Sequence, residues 1–172
     1  NITTYAWNAN KTLASVTESN GAVTSYTYDS HGNVLTTTLP DPDGTGPQSS
    51  SVVSHTRDNY GRATSTTVGN RTVSRSYDAA NRITSETDAL GNTTSYVWTG
   101  LGRVASVTLP DPDGPGPLAA PVESYQWDWY GRLLSTTSPS GIVTQNSYDT
   151  SGHLASTTIL DPDGTGPLSD LV

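Results

Sequence analysis

Three copies of the tetrapeptide Asp-Pro-Asp-Gly hold the residues that come closest to a metal site. The carboxylates belong to Asp41, Asp43, Asp111, Asp113, Asp161 and Asp163. Alternating aspartates before a glycine resemble half of a calcium loop, since Ca²⁺ takes roughly six to eight oxygen ligands on a tight turn. The downstream bidentate glutamate of such a loop is missing. The alternative is a rigid turn whose prolines prevent the sheet margin from recruiting other strands. We therefore expect no metal and no other cofactor.

A second candidate surface is a set of aromatic residues that occur in pairs two positions apart. The pairs are Tyr5 and Trp7, Tyr26 and Tyr28, Tyr96 and Trp98, and Tyr125 and Trp127. Residues two apart on a strand share one face of the sheet, so the pairs form an aromatic ladder. These rings could stack on sugars, or they could pack the sheet with their polar atoms bonded to neighbouring strands. The packing interpretation is favoured because the pairs recur at the turn-proximal position whatever surrounds them.

Catalysis is not indicated by the remaining polar residues. His31, His55 and His153 lie in or near turns and at no metal-ligand spacing. Serine is abundant, but no Gly-x-Ser-x-Gly motif occurs and no acid-base pair stands out. We predict that the chain is not an enzyme.

The candidate residues are positioned by a repeated turn, of which Tyr28-Asp29-Ser30-His31-Gly32 is a clear copy. Its anchors stand at positions 7, 28, 57, 77, 98, 127 and 148, so the motif recurs with a period of about 20 to 30 residues. Aspartate at the first position of a type I turn caps backbone N–H groups, and glycine or asparagine at the fourth accepts a positive φ. The predicted turn residues are Asp29 with Gly32, Asp78 with Asn81, Asp128 with Gly131, and Asp149 with Gly152. Lys11 occupies the fourth position of the first copy and should weaken that turn.

Between anchors lies a second turn, and the connecting segments read as strands. Glu18–Gly21 and Asp88–Gly91 repeat the acid-x-x-glycine spacing, and Gly69-Asn70 forms a two-residue hairpin signal. The joining segments are rich in β-branched residues and show no helical periodicity. We predict an all-β chain, a continuous antiparallel meander of about fourteen strands that forms a curved or spiralling sheet, part of a shell, tube or fibre. Proline-glycine loops lengthen two of the intervals between anchors, and these loops should lie at the margin opposite the anchor turns.

The whole chain is one repeat array. Residues 1–172 contain seven in-phase hairpin repeats of about 20–21 residues, or 29 with the loop insert. We expect a segment of a longer array, because the repeats are cut in phase. Only 32% of the residues are hydrophobic, and cysteine, methionine and phenylalanine are absent. So few hydrophobic residues can build only a thin core, which predicts a sheet that depends on partners. Those partners would be further repeats of the same protein or other copies of it.

These anchors resemble the YD-repeat, or RHS-repeat, family, and the resemblance covers the whole chain. Members form large β-sheet shells or barrels around a hollow interior. They occur in secreted bacterial toxin complexes, polymorphic toxins, wall-associated proteins and animal adhesion receptors. The resemblance implies a structural scaffold segment of a secreted or cell-surface protein. A carbohydrate-binding or adhesion surface on the same sheet is the alternative, with glycans as ligands.

The charge balance excludes other classes of partner. The chain carries 8 basic and 16 acidic residues, for a net charge of −8. This charge argues against nucleic acid or an anionic membrane as the partner. No apolar run approaches the roughly 18 residues of a membrane span, so we expect no membrane insertion.

Overall fold

The computed structural model describes residues 2–44 and 46–160, all of which lie in strands, turns and loops. The third Asp-Pro-Asp-Gly loop, with Asp161 and Asp163, lies outside the described residues. The described residues form fourteen strands: β1 Thr4–Trp7, β2 Leu13–Thr17, β3 Val23–Tyr28, β4 Val34–Thr38, β5 Val52–Arg57, β6 Ala63–Val68, β7 Arg71–Tyr77, β8 Ile83–Thr87, β9 Thr93–Trp98, β10 Val104–Thr108, β11 Val122–Trp127, β12 Leu133–Thr137, β13 Val143–Tyr148 and β14 Leu154–Leu160.

The strands form a meander in which each strand is hydrogen-bonded to its sequence neighbours. The order runs from β1 to β14 without a crossover, and the sheet is not closed. The predicted all-β antiparallel meander is therefore confirmed. The chain divides into two compact units, residues 1–76 with 87–91 and residues 77–86 with 92–172. Over the described residues no helix is long and apolar enough to cross a membrane.

A β-bulge follows the anchor turn in six of the repeats. In the second repeat Thr27 pairs with Thr36 while Tyr28 pairs with Val34, so Leu35 is an extra residue in β4. The same shift occurs in the pairs formed by β1, β5, β9, β11 and β13. A bulge interrupts the backbone ladder locally. Pairing to the next repeat resumes two residues after the strand begins, as at Ser15 opposite Ser25.

The face opposite the aromatic rings is covered by small hydroxyl side chains. Thr27 Oγ1 lies 2.6 Å from Thr36 Oγ1, and Ser147 Oγ lies 2.7 Å from Ser156 Oγ. Among the described residues no hydrophobic side chain is fully buried, and Ser135 at 7% exposure is the buried polar one. Stability must therefore come from cross-strand pairs and from contacts between repeats rather than from a central core.

Candidate functional site

The site consists of the anchor turns, which are the tight turns that follow the seven odd-numbered strands. In the turn after β3, Asp29 Oδ1 accepts the backbone N–H groups of His31 at 2.8 Å and Asn33 at 2.9 Å. The Gly32 N–H donates to the Asp29 carbonyl at 3.1 Å, and Gly32 has φ +84°. The same bond to the first-position carbonyl is made by Asn81, Gly131 and Gly152. Asp78, Asp128 and Asp149 thus each open a turn of the type that the spacing predicts.

A second carboxylate contact stiffens these turns. Asp58, Asp78 and Asp128 each accept Nε of an arginine four residues later through Oδ2. The distances are 2.6 Å to Arg62, 2.7 Å to Arg82 and 2.6 Å to Arg132. In the other two copies the partner is the Asn33 amide at 3.0 Å or the His153 ring at 3.3 Å. Each of these turns is therefore closed by backbone and side-chain bonds to one carboxylate.

These bonds lower the pKa of the turn carboxylates. The Asn33 side chain is the main cause at Asp29, and the Arg82 and His153 backbone N–H groups are the main causes at Asp78 and Asp149. At Asp58 and Asp128 desolvation is the largest influence and raises the pKa, but the bonds from Arg62 and Arg132 together outweigh it. In all five carboxylates the pKa is therefore lowered from its ordinary value of 3.8.

We expect the chain to lose stability in acid because of these five groups. A carboxylate whose folded pKa is depressed stabilises the fold above its unfolded pKa, and that contribution is lost as the pH falls through the folded value. The thermal midpoint should hold steady above about pH 5 and fall steadily below the ordinary value of 3.8. Thermal melts across the acid range measure this, with Asp128→Asn as a variant of weaker pH dependence. A midpoint that stays flat down to about pH 2 would contradict the expectation.

The first anchor turn forms in spite of its lysine. Lys11 has φ +66°, and its N–H donates to the Asn8 carbonyl at 2.9 Å. A side chain in this left-handed region costs about 1 kcal/mol, which glycine avoids. Lys11→Gly should therefore raise the free energy of unfolding by about 1 kcal/mol in denaturant titration. Gly32→Lys is the matched control: nothing lies near its missing Cβ, so the reverse cost should appear there. Equal stability of Lys11→Gly and the parent chain would contradict the strain.

The aromatic anchors connect one repeat to the next. Tyr28 and Tyr148 donate their hydroxyls to the Leu13 and Leu133 carbonyls, each at 2.9 Å. Trp98 and Trp127 donate Nε1 to the Ile83 and Val104 carbonyls, each at 2.7 Å. For Leu13, Val104 and Leu133, the accepting carbonyl lies beyond the backbone pairing with the next strand. The aromatic side chain thus forms a hydrogen bond to a carbonyl that the backbone pairing between repeats does not reach.

Arginines of the preceding repeat complete these contacts. The guanidinium carbon lies 5.4 Å from the Trp98 ring centre for Arg82, 5.6 Å from Trp127 for Arg103, and 4.6 Å from Tyr148 for Arg132. Such cation–π contacts contribute about 0.5–1 kcal/mol at exposed sites. We call the combination of carbonyl, anchor ring and preceding arginine a joint. Arg82 also donates Nη1 to the Thr99 carbonyl of the next anchor turn at 3.0 Å.

The remaining ladder residues are arranged less uniformly. Tyr96 donates its hydroxyl to Glu86 at 3.4 Å, and burial followed by that carboxylate raises its pKa. Burial, followed by Glu123, likewise raises the pKa of Tyr125, whose ring centre lies 6.4 Å from that of Trp127. Tyr26 is half-buried on β3. Tyr5 and Trp7 on β1 are 60% and 64% exposed, so they lack the cover that the later pairs have.

Sequence reasoning missed the arginines of the joints. Arg82, Arg103 and Arg132 all stand five residues after an anchor, a recurrence that could have been read from the repeat alignment. That recurrence did not indicate that the arginine side chain contacts the anchor ring of the next repeat. Around Gly131 the Arg103 guanidinium comes so close that an added Cβ would lie 2.6 Å from its Nη2. Glycine is therefore favoured there by its φ of +79°, and a larger residue would also displace the end of the Arg103 side chain.

Two copies depart from the anchor pattern, yet both turns close. The Thr99 N–H donates to the Arg103 carbonyl at 2.7 Å, and Thr99 Oγ1 accepts the Arg103 N–H at 3.1 Å in place of a carboxylate. Arg57 replaces an aromatic anchor and donates Nη1 to the Gly61 carbonyl of its own turn at 3.1 Å. The Nε of Arg57 is buried and has no hydrogen-bond partner. The joint between the second and third repeats therefore lacks its ring.

The aspartates of the described long loops bind backbone N–H groups. Asp41 Oδ1 accepts the Asp43 N–H at 3.2 Å, and Asp43 Oδ2 accepts the Gln48 N–H at 3.1 Å. Asp111 and Asp113 repeat this arrangement with Asp113 and Leu118 as donors, each at 3.2 Å. Within residues 2–44 and 46–160 no group of three His, Asp or Glu side chains is suited to hold a metal. These hydrogen bonds fold each loop into a turn, which accounts for the recurring spacing of its two aspartates.

We accordingly expect metal removal to have no effect. Because the loop carboxylates already accept backbone N–H groups, EDTA should leave the thermal midpoint within about 1 °C of its value in buffer. Differential scanning calorimetry with EDTA, and then with excess Ca²⁺, measures this. A fall of several degrees that Ca²⁺ restores would revive the calcium interpretation of the Asp-Pro-Asp-Gly loops.

Known proteins resemble this chain in repeat pattern and in fold. A family model described as RHS Repeat matches residues 7–45, 77–113 and 125–165, more than half of the chain. No curated protein sequence matches. Among solved structures, the Photorhabdus luminescens Tc holotoxin pore superposes over 91% of this chain with a TM-score of 0.60 and 18% identity. A TcdB2–TccC3–Cdc42 crystal structure superposes over 98%, with a TM-score of 0.55 and 14% identity. This chain spans 9% and 11% of those two chains. With its phased anchor turns and matching family model, the chain belongs to the RHS-repeat family.

Proposed function

We propose that this chain is a wall segment of a β-sheet scaffold in a large secreted or cell-surface protein, where it forms part of a shell, tube or fibre. The observation that carries the proposal is the joint. The same combination of ring, carbonyl and arginine connects Trp98 to Ile83 and Arg82, and Trp127 to Val104 and Arg103. A contact that recurs between neighbours can extend a sheet by any number of repeats.

Two properties of the described residues support a structural role: they include no fully buried hydrophobic side chain, and their turn carboxylates are occupied by hydrogen bonds. No hydrophobic side chain among them is fully buried, so each repeat gains its cover from the repeats beside it. The turn carboxylates are engaged by arginine, asparagine or backbone groups, which leaves them poorly suited to acid-base chemistry. We propose that the partners are further repeats of the same protein or other copies of it, and that the chain has no catalytic activity.

The similar solved structures support the same proposed function. They are a Tc holotoxin pore and complexes of TcdB2 with TccC3, in which a segment like this one makes up about a tenth of the chain. By likeness of fold, we propose that this segment likewise makes up a minor part of a much larger chain, and that it serves there as part of a wall. Secretion or display at the cell surface is proposed on the same likeness.

Electron microscopy of the longest natural polypeptide that contains these residues tests the scaffold. We expect a hollow particle, tube or filament whose wall is the repeat sheet, found in the secreted or surface fraction of the source cells. A particle in which these residues form a small separate lobe on a flexible tether would contradict the proposal.

A carbohydrate-binding surface is the second candidate, and the exposure of Tyr5 and Trp7 favours it. These rings are accessible for stacking, whereas the indole N–H groups of Trp98 and Trp127 are bound within joints. A glycan array with Trp7→Ala as the test variant distinguishes the two functions. Binding that Trp7→Ala abolishes supports the carbohydrate surface, and an array without binding contradicts it.

A further inference from the structure

Two anchor turns share the sequence Asp-x-Tyr-Gly-Arg and present aromatic rings to solvent. Tyr60 and Tyr130 are each 82% exposed, and Trp129 is 80% exposed. The turn itself does not need a ring at this position, since Ala80 and Leu101 occupy it in other copies that close in the same way. Three large aromatic side chains held out at tight turns indicate an interaction surface.

The rings are held in place by the turns that carry them. The Arg62 guanidinium carbon lies 5.0 Å from the Tyr60 ring centre, and that of Arg132 lies 5.4 Å from Tyr130. Each arginine is fixed in turn by its aspartate at 2.6 Å. A ring that is positioned before binding loses little conformational freedom on contact, which favours its use as an anchor.

A cleft adjoins each of these turns. Next to Tyr130 and Arg132 it is an open cleft of about 460 Å³, which is also lined by the following anchor turn, residues 149–152. Next to Tyr60 it measures about 340 Å³ and reaches the preceding anchor turn at Asp29 and Asn33. Clefts of this size accommodate a small ligand or the tip of a loop.

The chain itself carries a loop whose prolines suit the tyrosine rings beside these clefts. Residues 39–51 and 109–121 present exposed prolines and aspartates, and each is closed at its base by a backbone bond of 2.8 Å from Leu39 or Leu109. Aromatic-lined grooves bind proline-rich segments in general, because proline is already restricted in conformation. The loop carboxylates suit the guanidinium, whose Nη atoms carry N–H donors besides the Nε bound to Asp128.

Loop and turn also correspond in position. The loop at residues 39–51 leads into β5, which ends at the turn of Tyr60, and the loop at residues 109–121 leads into β11, which ends at the turn of Tyr130. Asp41 precedes Tyr60 by the same spacing as Asp111 precedes Tyr130. Each loop thus enters the same strand that ends in an Asp-x-Tyr-Gly-Arg turn.

We propose that the turns of Tyr60 and Tyr130 bind the Asp-Pro-Asp-Gly loops of a second copy of this chain. Proline rings lie on the tyrosine rings, and a loop aspartate binds Arg132. A copy displaced along the strand direction brings the loop end of its strands to the turn end of the first. The contact is heterologous and can continue from layer to layer. This inference rests on the proposed scaffold function and adds the contact between successive layers of the wall.

Disulfide trapping tests the contact directly, because the chain contains no cysteine. An Asn59→Cys chain is mixed with a Ser49→Cys chain under mild oxidation, which leaves the Tyr60 ring and the loop prolines in place. The matched control replaces Asn59→Cys with Ala79→Cys, which places the thiol at the same exposed position of an anchor turn without an aromatic ring. We expect the Asn59→Cys mixture to form the mixed dimer about tenfold faster, because docking raises the effective concentration of the two thiols. Equal rates would overturn the proposal.

Sedimentation velocity gives a second readout without cysteines. The Tyr60→Ser/Tyr130→Ser chain should associate about tenfold more weakly than the parent. Leu90→Ser, which removes another exposed apolar group at 86% exposure from a different turn, should not change association. A parent chain that stays monomeric at every concentration contradicts the docking but leaves the scaffold function standing. The scaffold function fails separately if its joints contribute nothing to the thermal midpoint.

Discussion

Replacing Trp127 with alanine is expected to lower the free energy of unfolding by about 3 kcal/mol. Large-to-small changes at packed tryptophans typically cost about 3–5 kcal/mol, and this half-buried ring lies at the lower end. The change removes the ring on which Arg103 stacks at 5.6 Å and the Nε1 donor that the Val104 carbonyl accepts at 2.7 Å. The carbonyl is then left without its partner, which adds about 1–3 kcal/mol if water cannot replace it. Urea denaturation followed by circular dichroism measures the loss.

Trp129→Ala provides the matched control for this experiment. Trp129 lies two residues away and is 80% exposed, so its removal should change stability by less than about 0.5 kcal/mol in the monomer. Trp127→Phe separates the parts of the joint, because it keeps a ring and loses the donor, and it should cost about 1–2 kcal/mol. If Trp127→Ala and Trp129→Ala cost the same, the joint does not hold the repeats together.

Arg57→Trp is expected to stabilise the chain by about 2 kcal/mol. Arg57 stands where the third repeat needs its ring, and its buried Nε has no partner, a defect that costs about 1–3 kcal/mol. Trp127 occupies the equivalent position in the strand that follows the next long loop. A tryptophan at position 57 can donate Nε1 to the Val34 carbonyl, as Trp127 does to Val104. A rise of several degrees in the thermal midpoint is the expected measurement.

Arg57→Ala separates the two sources of this gain. It removes the unpaired donor without adding a ring, so it should recover only part of the stabilisation. Asn33 stands where Arg103 stands in the later repeat, so no cation–π contact is expected with the new indole. An Arg57→Trp chain less stable than the parent would show that position 57 is built for the arginine, and the joint would then not be general.

The turns were predictable because their causes are local. Asp29 and Gly32 specify a type I turn through one side-chain acceptor and one positive φ, and both lie within five residues. The same reasoning allowed Asn81 and flagged Lys11, both of which have positive φ values. Alternation and turn spacing then predict antiparallel neighbours, and the confirmed meander follows from short connections alone.

The joints were not predictable in the same way, because they depend on register. The bulge at Leu35 and its counterparts shifts one strand by a residue, and sequence spacing does not show which backbone carbonyl the next anchor then reaches. Only the paired structure places the Tyr28 hydroxyl on the Leu13 carbonyl in the preceding repeat, and the Trp127 indole on the Val104 carbonyl across a long loop. The eight ladder residues could thus be assigned to one face from sequence, but their partners could not.

The repeat, the turn chemistry and the all-β meander follow from the amino-acid sequence alone, since each rests on interactions within about one hairpin. Which side chains connect one repeat to the next depends on the folded structure. It placed Trp98 and Trp127 in joints, left Trp129 and Tyr130 exposed, and left Arg57 with a buried donor that has no partner. Trp127 and Trp129 are two positions apart, and residue type alone does not distinguish their roles. They differ here because one lies at the end of a strand facing the neighbouring repeat, while the other lies within a turn that faces water.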